Sequence, residues 1–175
     1  MAVIGGWWHP HAIGPLDPIK CECTWFSFDL GKRRFPWVYE RANDHSRVIA
    51  SLELLGAVLL MRMAGANGQS FPVQIRAVHD NQGDVFAVMK ANSKTIPASL
   101  VHMELIATAR AMGAFPALIH VPREQNVWAD ALTNHDFAGF LPDKRWNPDL
   151  DNEFFYVLDK LMKARSDKKV GSTRD

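Results

Sequence analysis

The longest apolar stretch of the chain runs from Val48 to Met63, interrupted only by Ser51, Glu53, Gly56 and Arg62. Apolar residues fall on almost every side of a 3.6-residue period there, which predicts a buried central helix from about Arg47 to Met63. Asn43-Asp44-His45-Ser46 supplies several N-cap candidates, and Gly65 follows the last apolar turn. With two charges inside it, the run falls short of the roughly 18 to 20 uncharged residues that span a bilayer.

Shorter patterns frame this helix. Residues 1–8 and Thr24 to Leu30 have strand composition, with a proline-rich loop from His9 to Lys20 between them. Gly31-Lys32-Arg33-Arg34 is a polar turn, and Pro36 to Tyr39 reads as a further short extended piece. Phe71 to His79 predicts a strand, closed by Asp80-Asn81-Gln82-Gly83-Asp84 and followed by a short helix to about Lys90. Pro97 occupies a favoured first helical position for a helix ending at Met112, where Gly113 stops it. Phe115 to Val121 is the next strand. Pro122 to Gln125 is a loop, and Asn126 can cap a helix starting at Val127 and running through Leu132. His135 to Leu150 is loop-like, and Asn152 to Ala164 has the spacing of an amphipathic helix.

Strands alternating with helices in the second half imply parallel pairing and an α/β class. At 175 residues, 47% hydrophobic and 22% charged, the chain suits one packed core rather than a disordered or coiled-coil protein. The expected division is a main domain over 1–134, a C-terminal extension with its amphipathic helix over 135–165, and a polar, disordered tail over 166–175. A net charge of +1 neither requires nor excludes a polyanionic partner. Cys21 and Cys23 are too close for an ordinary mutual disulfide and lack zinc-site spacing; with no signal peptide visible, an intracellular setting, cytoplasm or nucleus, is expected.

Three acids stand out against this framework. Glu53 lies in the apolar helix, Asp80 at a strand's carboxyl end where open α/β folds place ligands, and Asp130 in a helix's first turn on the face of Asn126. Each has an ordinary explanation: an ion pair for Glu53, a helix cap for Asp80, a dipole-favoured first-turn acid for Asp130. Burying unpaired carboxylates is costly, so acids kept at such positions favour convergence on a cation.

The segments Ser51-Leu52-Glu53-Leu54-Leu55, Val78-His79-Asp80-Asn81 and His120-Val121-Pro122, with Asn126-Val127-Trp128-Ala129-Asp130-Ala131-Leu132, occur in one order. In that order the chain resembles the ribonuclease H domain that accompanies reverse transcriptase in retroelement polyproteins. The resemblance implies an RNase H-like mixed β-sheet flanked by helices. It makes Glu53, Asp80 and Asp130 catalytic ligands of two Mg²⁺ ions (Mn²⁺ possible as a substitute), and the substrate the RNA strand of an RNA–DNA hybrid. Asn126, Asn81, Arg123 and Lys94 are expected in supporting or nucleic-acid contacts, and an adjacent reverse transcriptase domain is an expected partner. A catalytically dead module that binds nucleic acid or braces a polymerase is the alternative.

The family's fourth carboxylate, an aspartate in the first strand of the sheet, has no match here. Ala2-Val3-Ile4-Gly5-Gly6-Trp7 resembles the second strand, so the first is expected to lie before Met1, and the isolated chain to be weakly active or inactive. Asp29 is a weaker candidate for the missing ligand, and Asp17, in a proline-flanked loop, weaker still.

Overall fold

In the computed structural model the described residues are 2–9, 19–40, 45–66, 74–79, 96–120 and 122–160. They form a mixed α/β structure: β1 (Ala2–Trp8), β2 (Thr24–Leu30), α1 (Pro36–Glu40), α2 (His45–Ala66), β3 (Gln74–His79), α3 (Ala98–Met112), β4 (Phe115–His120) and α4 (Val127–Thr133).

β1 and β2 pair antiparallel along their whole length, from Ala2 opposite Leu30 to Trp8 opposite Thr24. Because side chains alternate across a strand, this register gives the ribbon two distinct faces. One carries Ile4, Phe26, Phe28 and Leu30 into the main core with Leu54, Leu55, Val58 and Leu59 of α2 and Val101 and Leu105 of α3. The other presents Trp25 to a second cluster with Cys23, Leu132 and Phe140. The outer edge of β2 is taken up by the chain itself: the Trp146 amide donates to the Trp25 carbonyl at 2.8 Å, and the Arg145 guanidinium to the Ser27 carbonyl at 2.7 Å.

β3 and β4 pair in parallel, Gln74 opposite Phe115 through His79 opposite His120, with α3 in the connection between them. The parallel pairing agrees with the alternating pattern of the sequence. Where one mixed sheet is expected, the described residues contain two sheets of two strands, and α2 packs against both β1 and β3.

Several elements differ from the sequence reading. Pro36 to Tyr39 is not extended but opens α1, as a proline at a first helical position permits. Pro97 sits just outside α3, in its N-cap position, and Gly113 ends the helix at φ 66°, the left-handed conformation that glycine adopts without strain. The helix expected from Asn152 starts only at Leu158. The preceding residues are held in a non-helical path by buried charges on α2 and α3, and Phe155 and Leu158 enter the main core. The short helix expected after Asp84 and the polar tail lie outside the described residues.

By length and hydropathy Val48–Ala66 is the one stretch among the described residues able to cross a membrane, but half of it is buried within the molecule. It is the central helix of the core.

Candidate active site

Glu53 is half-buried on α2, beside the fully buried Leu54 and Leu55. Asp130 is exposed on α4, a helix locked onto the opposite face of the β1–β2 ribbon. Three contacts make that lock. Ser27, buried on β2, donates its hydroxyl to the Leu132 carbonyl at 2.8 Å. Gly5 lets α4 approach closely: a Cβ there would lie 2.7 Å from Leu132 Cβ and 3.0 Å from the Thr133 nitrogen. Trp7 and Trp128 meet with ring centroids 4.9 Å apart.

The exit of α4 is equally fixed. The Asp130 carbonyl accepts from the Asn134 amide at 3.1 Å, the Asn134 side chain at 2.9 Å and the Thr133 hydroxyl at 2.8 Å. Asp136 N–H reaches back to the Ala131 carbonyl at 2.9 Å, closing a Schellman-type turn whose left-handed residue is His135 at φ 59° rather than a glycine. His135 Nε2 lies 3.4 Å from Asp29 Oδ1, and both side chains are about half exposed. Asp29, on β2 opposite Val3, is thus engaged with a histidine at the end of α4.

Asp80 directly follows β3 but lies outside the described residues, as do Asn81 and Lys94. Arg123 falls in the single 3-10 turn Arg123–Gln125 before α4, its side chain outside the described set. Asn126 occupies the N-cap position of α4 without a side-chain capping bond; its carbonyl accepts the Asp130 amide at 3.1 Å, so its contribution is through the backbone. Among the described residues no group of three or more histidines, cysteines, aspartates or glutamates is arranged to hold a metal ion. The structure therefore brings the helices bearing Glu53 and Asp130 onto one strand, from its two faces.

The most elaborate polar site is one that no sequence motif announced. Glu104 on α3 is fully buried and accepts the backbone amides of Tyr156, Val157 and Leu158 at 3.0, 2.7 and 3.2 Å. Arg62 of α2 pairs with it at 3.1 Å, and also with Glu153 at 3.0 Å and the Phe154 carbonyl at 2.8 Å. Arg34 bonds the Leu150 and Glu153 carbonyls and pairs with Asp159 at 2.8 Å. Both guanidinium groups lie over the Phe155 ring, 5.1 Å from its centroid for Arg34 and 4.6 Å for Arg62. Partners 42 to 54 positions from Glu104 leave no local pattern in sequence. The chemistry is that of a structural clasp: every Glu104 contact listed among these holds the chain from Asp149 to Lys160 in place.

Two further buried groups titrate abnormally. Burial pushes the Cys23 thiol up from its ordinary 9.0 to about 11, against the opposing pull of Lys144. Burial lowers the His102 imidazole on α3 below its ordinary 6.5, and its Nε2 has no hydrogen-bond partner.

No family model, curated protein or solved structure matches this chain.

Proposed function

We propose that the chain is a ribonuclease H type domain of a retroelement, acting inside the cell on the RNA strand of RNA–DNA hybrids. It requires a further strand bearing a fourth carboxylate for full activity. The observation that carries this reading is the arrangement around β1. α2 with Glu53 packs on one face, α4 with Asp130 on the other, and β3, whose next residue is Asp80, packs under the same α2. An antiparallel ribbon and a parallel pair sharing one helix are what an RNase H-like sheet leaves when its central first strand is taken away.

Oxygen donors from three carboxylates suit hard divalent cations, and the exposure of Asp130 leaves room for a phosphate backbone. Two Mg²⁺ ions bound there would supply an activated water and charge stabilisation for the departing 3′ oxygen. The protein's share is to hold Glu53, Asp80 and Asp130 on rigid elements, and the fixed docking of α4 on β1 serves that end.

The test is cleavage of a labelled RNA–DNA hybrid in Mg²⁺ by the chain extended with its upstream sequence. Cleavage lost in Glu53→Gln, Asp80→Asn and Asp130→Asn is the expected result. An extended chain that folds, ends its added strand in aspartate and still leaves the hybrid intact sinks the nuclease reading. One observation favours the alternative of a catalytically dead module bracing a polymerase domain. Phe115 (69% exposed) and Ile119 (41%) on β4 leave one face of the parallel pair bare, although parallel sheets are usually covered on both faces. Hybrid binding without cleavage would select that alternative.

A further inference from the structure

β1 carries the sequence Ala-Val-Ile-Gly-Gly-Trp-Trp, with no charge and no proline, and among the described residues it pairs with β2 alone. Exposed strand edges are normally blunted by lysine, proline, bulges or a covering segment, because their free amides and carbonyls recruit other strands. β2 is covered in this way by Arg145 and Trp146, whereas β1 has no such device. Burial reflects the difference. Five of the seven β2 residues are buried, but only Ile4 of β1 is, although helices pack on both faces of β1.

We infer that the free edge of β1 is a strand-accepting slot, and that its occupant is a single extended, apolar segment hydrogen-bonded along β1. The slot has walls: α2 meets the face of Ile4, and α4 meets the face of Gly5 and Trp7. A strand seated between these walls is buried on both faces, so its side chains are apolar without alternation. α2 reaches on to β3, so the strand's far side faces the second two-stranded sheet. A second copy of the chain does not fit, because its own β1 carries α2 and α4 on its faces, and two such pairs of helices collide before the edges meet. A lone strand with no helices attached enters freely, adding backbone hydrogen bonds along the seven residues of β1.

The slot is independent of the nuclease reading, and its test reads backbone protection instead of cleavage. The full chain is extended at its N-terminus by a designed seven-residue strand of valine, isoleucine and threonine joined through an Asn-Gly hairpin turn, which directs the strand antiparallel to β1. Amide hydrogen exchange is then measured for Ala2 to Trp8. The expected result is exchange slowed by about tenfold or more across β1, and no slowing when the added strand carries a central proline. An extension that leaves β1 exchange unchanged overturns the inference. So does a lone chain whose β1 amides are already as protected as those of β2. Protection in the lone chain that grows with concentration, with dimers in sedimentation, overturns it in favour of self-pairing.

Discussion

Replacing Glu104 by leucine removes a carboxylate that is 0% exposed and that three backbone amides and one guanidinium share. Leucine is close in volume, so little of the effect comes from packing. What is lost is acceptor capacity. Arg62 retains Glu153 and the Phe154 carbonyl, but the amides of Tyr156, Val157 and Leu158 lose their acceptor, and each buried, unsatisfied donor costs about 1–3 kcal/mol. Breaking a buried ion pair from one side costs about 3–5 kcal/mol in total. The two figures describe the same event, so about 3–5 kcal/mol is the expected loss. Glu104→Gln keeps the shape and one acceptor oxygen and should lose about 1.5–3 kcal/mol, the value of hydrogen bonds to a charged group. Urea denaturation followed by tryptophan fluorescence orders the three proteins, and amide exchange locates the damage. Residues 156–158 should lose protection in Glu104→Leu before α3 does, as the segment from Asp149 to Lys160 detaches. A leucine variant within about 1 kcal/mol of the parent, with those amides still protected, refutes the clasp.

Gly5→Ala places a methyl group 3.0 Å from the backbone of Thr133, which cannot yield as a flexible side chain would, and should destabilise by about 1–3 kcal/mol in thermal unfolding. His135→Gly relieves the left-handed residue after α4 and gives up only a half-exposed pair with Asp29; a net gain of about 1 kcal/mol in chemical denaturation is expected. Cys23 should resist a thiol reagent in the folded chain while Cys21 reacts. Because its folded pKa is raised, the stability it contributes is complete below pH 9.0 and is lost as pH rises towards about 11, a loss that Cys23→Ala should not show. For His102 the sign is opposite. Its lowered pKa means that the unfolded chain takes up the proton first, so stability falls as pH drops below 6.5, and His102→Phe should flatten that slope in pH-dependent denaturation.

The apolar, capped and punctuated elements were legible in the sequence. α2 follows from its continuous hydrophobic run, α3 from Pro97 and Gly113, and the β3–β4 pairing from the strand–helix alternation. Local composition misled at Pro36 to Tyr39, where aromatic and β-branched residues suggested a strand but the proline starts a helix. It misled again at Asn152, where amphipathic spacing continues through a segment that Glu104 and Arg34 hold out of the helix. Of the candidate site, Glu53 and Asp130 could be placed by their elements, since a helix fixes which face its residues occupy. Asp29 meeting His135 could not, because that contact depends on how the ribbon docks against the end of α4. Nor could the Glu104 clasp, whose partners come together only through tertiary packing.

The contact of Trp7 with Trp128 has an optical consequence. Two indoles 4.9 Å apart and tilted by 57° are close enough for their excited states to couple, which splits the circular dichroism of the pair into bands of opposite sign. One ring belongs to the strand and the other to the helix carrying Asp130, so the couplet exists only while that helix is seated. It offers a spectroscopic ruler for the docking of α4 in solution, readable without label, substrate or ion.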